Sequence, residues 1–344
     1  MRWSFRSVLA FVAFGLAVLA ALNLAGRVPI SGPTEPQKMQ AKFDRIAGKE
    51  AVSLGGSTGN AIDFDAMCID GAPFYNNGQD LFESEALIDL ILSRPDPPRL
   101  FFLSTSPASQ LYDNAIPGLA NVYRRRYTYT FLQGEGEWGL IGDDWRQAML
   151  APIMPAVGQH LVEPWHIALL DALGRIPPPD PAVVHDTLSV PPEEADVLAK
   201  GVLAEWEAAA QAVTDADPTT PARTHQTLLR IADKVAAHGG QLVLVESPFI
   251  DEFNRPLQQA DWFETDEFNA LLRDLETRGA IVIDDWQNRA TRYDAALFRD
   301  SAHLNAKGAR IYSRRLEKIL RSRGIVPEQV CRDTRPVLRG DTGI

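Results

Sequence analysis

The sequence predicts an α/β fold: a central parallel sheet of about five strands, wound on both faces by helices. Three observations carry this. Short apolar runs with the length of buried strands alternate with amphipathic helical patterns. The first such run, Ala51-Val52-Ser53-Leu54, breaks into the turn Gly55-Gly56-Ser57-Thr58. The last long helical pattern is opened by Asp300-Ser301-Ala302-His303-Leu304-Asn305.

Taken in order, residues 7–26 form a nearly continuous apolar stretch between Arg2 and Arg6 on one side and Arg27 on the other. About 20 such residues suffice to span a bilayer as a helix, and the early arginines favour a cytoplasmic N-terminus. Residues 1–27 are therefore expected to be a membrane anchor, with a cleaved signal, ending at Val18-Leu19-Ala20, as the alternative. Residues 28–45 read as a linker with a short helix, Met39 to Ile46, and residues 46–344 as the folded domain. The first strand and Ser57 follow, then a helix over Thr58 to Ile69 with Ile62, Ala66 and Ile69 inward. Pro73 to Gly78 reads as a second strand ending in a glycine turn. A helix over Ser84 to Leu92 leads to a third strand, Arg99 to Leu103, which runs into Ser104-Thr105-Ser106-Pro107.

Between about 110 and 225 the strand–helix rhythm stops. The stretch carries proline clusters, Arg124-Arg125-Arg126 and tryptophans at 138, 145, 165 and 206. It reads as a mostly helical insertion, with helices near Trp145 to Leu150, Trp165 to Leu173 and Glu193 to Val213. Insertions of this kind sit over strand ends and decide substrate choice. The rhythm returns with a helix over Pro221 to Ala237, stopped by Gly239-Gly240. A strand (Gln241 to Glu246), a helix (Asp266 to Arg278), a strand (Ala280 to Ile283) and a final helix (Lys307 to Arg323) complete the chain.

Acidic residues outnumber basic ones, 45 to 34, for a net charge of −11. That argues against a nucleic-acid surface. The two cysteines, Cys68 and Cys331, are open to two readings. They pair in an oxidising compartment, or Cys68 is a buried thiol and Cys331 an exposed one.

The chemistry lies at the two ends of the domain. A serine on a glycine turn after a strand is presented as a nucleophile, and its backbone N–H lies where an oxyanion forms. His303 supplies a base, and Asp300, three residues earlier, a carboxylate to orient it. The bland readings are an N-cap for Ser57, a helix-start histidine for His303 and a helix cap for Asp300. Asn305 and Gly308 read as shapers of the turn.

Ser57 in Gly-Gly-Ser-Thr, with Asp300-x-x-His303 followed by Leu304-Asn305-x-x-Gly308, resembles the SGNH/GDSL hydrolase superfamily. Within it, the chain looks most like the membrane-anchored periplasmic branch. That branch includes alginate O-acetyltransferase components and the D-alanyl transfer protein of lipoteichoic acid synthesis. The resemblance spans roughly residues 50 to 325, and its motifs lie at the two ends. It implies a flavodoxin-like strand order and a triad of Ser57, His303 and Asp300. Oxyanion donors would be the Ser57 N–H, Gly78 and Asn77, plus an Asn after the third strand. Here that last position reads Ser104-Thr105-Ser106, so a hydroxyl there, or the side chain of Asn76 or Asn77, would stand in.

The function expected is O-acyl, chiefly acetyl, transfer on an exported polysaccharide through an acyl-Ser57 intermediate. A membrane-bound O-acyltransferase is the expected partner, and the domain is expected in the bacterial periplasm beside the inner membrane. An esterase using water is the first alternative, and a catalytically silent glycan-binding scaffold the second. No cofactor and no metal is expected, because no His or Cys shows ligand spacing. Asp63-x-Asp65 and Asp284-Asp285 read as strand-end acids, His160 and His166 as cap or core residues, and the arginine run as a solvated face.

Overall fold

The computed structural model describes residues 5–25, 35–116, 128, 131–132, 189–191, 193–260, 265–287 and 293–326. Five strands build one sheet: β1 (Ala51–Gly55), β2 (Gly71–Pro73), β3 (Leu100–Thr105), β4 (Gln241–Glu246) and β5 (Ile281–Asp284). Their order is β2-β1-β3-β4-β5, and every pairing is parallel. β1 and β3 are buried at every position, as strands covered on both faces must be. Phe101, Phe102, Leu103, Val243 and Leu244 have no exposed surface. Each such side chain contributes about 1.5–3 kcal/mol by leaving water.

The helices complete a three-layer α/β sandwich. In chain order they are α1 (Phe5–Ala25), α2 (Glu35–Asp44), α3 (Phe64–Met67), α4 (Leu81–Leu92), α5 (Ala195–Ala216), α6 (Thr220–Ala237), α7 (Asp251–Leu257), α8 (Thr265–Thr277) and α9 (Ala306–Ser322). α4 packs on α6 and α6 on α8, while α9 packs on α3. α6, α8 and α9 each alternate a buried apolar stripe with a charged outer face. The strand order is the flavodoxin-like one, in which the chain leaves β1 in one direction and β3 in the other. The crevice outside the carboxyl ends of those two strands is where such sheets place ligands.

Several elements differ from their sequence-based expectations. The helix expected over Thr58 to Ile69 is broken into a 3₁₀ turn, Ser57–Ala61, and the single turn of α3. Asp63 explains the break: its extended backbone stops the first turn, and its carboxylate accepts from Ala66 N to start the second. Ile62 and Ile69 are nevertheless buried. The second strand lies earlier than Pro73 to Gly78, at Gly71–Pro73. Beyond it the backbone still follows β1, with Phe74 N bonded to Ser53 O and Asn76 N to Gly55 O. α7 carries no expectation, because Pro256 inside it hides its pattern. Of the insertion, α5 is described, and its Trp206 meets Phe249 and Phe253 edge-to-face. The helices near Trp145 and Trp165, His160, His166 and Arg124 to Arg126 lie outside the described residues.

The free-thiol reading of Cys68 is corrected: it is disulfide-bonded, and no described cysteine is free. The one other cysteine, Cys331, lies outside the described residues. At the N-terminus α1 is helical over 21 residues, with Leu9, Phe11, Phe14 and Leu16 exposed. Counting only residues whose side chains are described, no helix is long and apolar enough to cross a membrane.

Candidate active site

β1 ends in a glycine for a geometric reason. Gly55 has φ +104°, and a Cβ there would lie 2.0 Å from the backbone oxygen of Ser104 on the neighbouring strand. Only glycine takes that conformation in that space. The chain then turns through Gly56 and presents Ser57, half-buried, at the head of the 3₁₀ turn.

From the other end of the domain comes the loop before α9. Phe298 and Leu304 form an antiparallel bridge, and Arg299 N donates to His303 O at 2.9 Å, so residues 299–303 close on themselves. Asn305 anchors the loop to the helix. Its carbonyl oxygen accepts from Gly308 N at 3.0 Å, and its amide donates to Ala296 O at 2.8 Å. Gly308 has no room for a side chain, because a Cβ would lie 2.1 Å from Leu297 O.

Inside this loop Asp300 Oδ1 accepts from the backbone N–H groups of Ala302 and His303 at 3.0 and 2.9 Å. Its two oxygens lie 2.8 and 2.9 Å from His303 Nδ1. On the far side of the ring, Nε2 lies 2.6 Å from Ser57 Oγ. A carboxylate can only accept, so Nδ1 carries the proton, and Nε2 is left to accept the Ser57 hydroxyl proton. Burial alone would raise the Asp300 carboxyl, but the His303 ring and the two N–H donors hold it below its ordinary value. The structure thus brings Ser57, His303 and Asp300 into one hydrogen-bonded line.

The oxyanion candidates separate into two groups. Gly78 turns with φ +67°, and the Gly78–Gln79 backbone passes beside Gly56, where a Cβ would stand 3.7 Å from Gln79 O. The turns that carry Ser57 and Gly78 are therefore neighbours, and Asn77, beside Gly78, is exposed. The three hydroxyls at the end of β3 and just beyond it make hydrogen bonds within the fold. Ser104 donates to Thr58 Oγ1 at 3.0 Å, Thr105 donates to Glu246 Oε1, and Ser106 shares a hydrogen bond with Ser109.

Residues without a motif hold the Gly78 turn. Asn114 donates to Gly78 O at 2.7 Å and to Glu83 Oε2 at 3.0 Å. Asp80 and Glu83 form a reciprocal capping box on α4. From α2, Lys42 reaches Tyr75 O at 2.8 Å and Asn76 Oδ1 at 2.7 Å. The Asp80-x-x-Glu83 spacing is a readable signal; Lys42 and Asn114 carry none.

The tempting acid pairs divide as well. Asp285 pairs with Arg315, and Asp284 accepts from Gln287. Glu246, closing β4, is wholly buried; burial pushes its carboxyl up to about 8, and the Asp284 carboxylate adds to the rise while the Thr105 hydroxyl opposes it. Among the described residues no group of three or more His, Cys, Asp or Glu side chains is placed to hold a metal ion.

Fold and site together define an α/β sandwich with a serine–histidine–aspartate constellation at the carboxyl edge of its sheet. Comparison with known proteins adds nothing to this: no family model, curated protein or solved structure matches the chain.

Proposed function

We propose that the chain is a serine-dependent acyltransferase of the SGNH/GDSL type, moving an acetyl-like group onto an exported polysaccharide of the bacterial envelope. The observation that carries the reading is the 2.6 Å contact between His303 Nε2 and Ser57 Oγ, with Asp300 on the opposite ring nitrogen. Ser57 Oγ attacks the donor's acyl carbonyl as its proton passes to Nε2. The negative oxygen of the tetrahedral intermediate faces the N–H groups of Ser57 and Gly78. Collapse expels the donor alkoxide, which takes the proton back from His303 and leaves acyl-Ser57. An acceptor hydroxyl then gives its proton to Nε2 and attacks the acyl carbon; the acyl–Oγ bond breaks, and Ser57 Oγ takes the proton back from Nε2.

Asp300 stabilises the imidazolium in both halves without taking its proton. The apolar, outward-facing α1 supports tethering beside a membrane acyl donor, with a membrane-bound O-acyltransferase as partner.

The test uses the full chain with a fluorophosphonate probe, then a chromogenic acetyl ester with and without an oligosaccharide acceptor. Label on Ser57, lost in Ser57→Ala and His303→Ala, with acetyl recovered on the sugar, is the expected result. Acetate released with no acetylated sugar replaces transfer by hydrolysis. A folded protein that takes no label leaves a binding scaffold.

A further inference from the structure

A cavity of about 410 Å³ opens between the Ser57–Ala61 turn, α3, the exit of β2 and the first turns of α9. That is within the ~300–1,000 Å³ of small-ligand clefts. It adjoins the triad without containing it. Leu304, next to His303, forms part of its wall, and Arg299, also in the wall, stands 3.6 Å from Asp300.

Its polar groups alternate in kind. Arg299, Arg310 and Asn60 offer N–H donors, and Asp63 and Asp65 offer carboxylate acceptors, with Tyr75 as an apolar side. The charges on the wall cancel. Both guanidiniums keep donors in hand: Arg299 reaches Asp300 at 3.6 Å and Arg310 reaches Asp63 at 3.9 Å, beyond hydrogen-bond length. Asn60 is fixed by its amide nitrogen, which donates to Leu304 O at 2.9 Å. An anion drawn to the arginines would meet Asp63 and Asp65. A hydroxyl-rich neutral group donates to the carboxylates while accepting from the arginines.

We infer that this cavity is the acceptor subsite, and that it takes an uncharged sugar unit of the polysaccharide. The inference rests on the acyl-transfer reading for the word acceptor; the binding itself does not. Such a sugar would sit beside the loop that carries His303, because Arg299 and Leu304 of that loop line the cavity. Water needs no such cavity.

Titration calorimetry on the full chain tests it, using short uncharged oligosaccharides of glucose, galactose or N-acetylglucosamine and a uronate oligosaccharide of equal length. Saturable binding of an uncharged sugar is expected, weakened at least about tenfold in Arg310→Ala, since a hydrogen bond to a charged group contributes about 1.5–3 kcal/mol. Arg310 is half exposed, so the variant keeps its fold, and Asp65→Ala serves as the second variant. Equal affinity in both variants overturns the subsite, and binding of the uronate alone overturns its neutral character. Absence of sugar binding in a protein whose Ser57 takes the fluorophosphonate overturns the subsite and leaves acyl transfer standing. Sugar binding lost in the variants, in a protein that takes no label, upholds the subsite and overturns acyl transfer.

Discussion

Ser57 Oγ and His303 Nε2 lie 2.6 Å apart although 246 positions separate them in the chain. The contact is held from both sides by backbone rather than by the pair itself. On one side Gly55 seats the nucleophile turn against Ser104; on the other the Phe298–Leu304 bridge and the Asn305 cap hold the histidine loop. A constellation supported in this way needs little rearrangement to react, which is the condition for electrostatic catalysis.

Asp300→Asn is expected to keep the fold and lose most of the activity. Asparagine still offers an oxygen to the Ala302 and His303 N–H groups, so the loop survives. If that oxygen is spent there, the amide faces Nδ1 and forces the ring proton to Nε2, where it can no longer accept from Ser57. A fall in kcat of roughly 10²–10⁴-fold follows, the upper figure being that of the serine-protease template. The Asp300 side chain is 44 % exposed, which places the effect below that upper figure. Steady-state rates on an acetyl ester, beside circular dichroism, check it; activity within a few-fold of wild type would remove Asp300 from the mechanism.

What could be read in the sequence follows from how local each signal is. The β1 run, the Gly-Gly-Ser turn and Asp300-x-x-His303 are contiguous, and β1, β3, β4 and β5 were legible because buried parallel strands are uninterrupted apolar runs. β2 was displaced because it is a three-residue edge strand, and the aromatic pair after it, Phe74-Tyr75, mimics strand composition while lying in a loop. The broken helix after Ser57 turned on Asp63, whose N–H donates to Ser313 on α9, 250 residues away. Lys42 and Asn114 steady the Gly78 turn only through the folded chain. The partners of the Ser104 and Thr105 hydroxyls, Thr58 and Glu246, are likewise set by the folded chain.

Gly55→Ala is expected to be among the most damaging single methyl additions in the domain. The added carbon meets a backbone oxygen that has no rotamer to yield, at a φ that alanine disfavours. Left-handed strain and forced backbone displacement together cost about 3 kcal/mol or more. Urea unfolding measures this, and fluorophosphonate labelling should fall with it because the displaced strand end carries Ser57. Gly48→Ala is the control for strain alone: φ is +68°, and nothing lies within 4 Å of the new carbon. If both variants lose the same stability, close packing on Ser104 is not what demands glycine at position 55.

Glu246 sets the direction of stability with pH. Its carboxyl rises from 4.5 to about 8 on folding, so between those values the native state holds a proton that the unfolded chain has released. Stability therefore falls as pH rises through that window, by up to about 1.4 kcal/mol per pH unit. Asp284, raised from 3.8 to about 6 chiefly by burial, acts in the same direction at lower pH. Asp300 acts in the opposite direction, but its folded value lies below 3.8, so its contribution is fully present throughout the window. Glu246→Gln keeps an oxygen for the Thr105 hydroxyl and cannot ionise. Between about pH 7 and 8, above the Asp284 value of about 6, the melting temperature of the wild type should drop more steeply than that of the variant. Parallel curves over that interval would show that Glu246 is already ionised in the native protein, and that the hydrogen bond from Thr105 outweighs the burial of its charge.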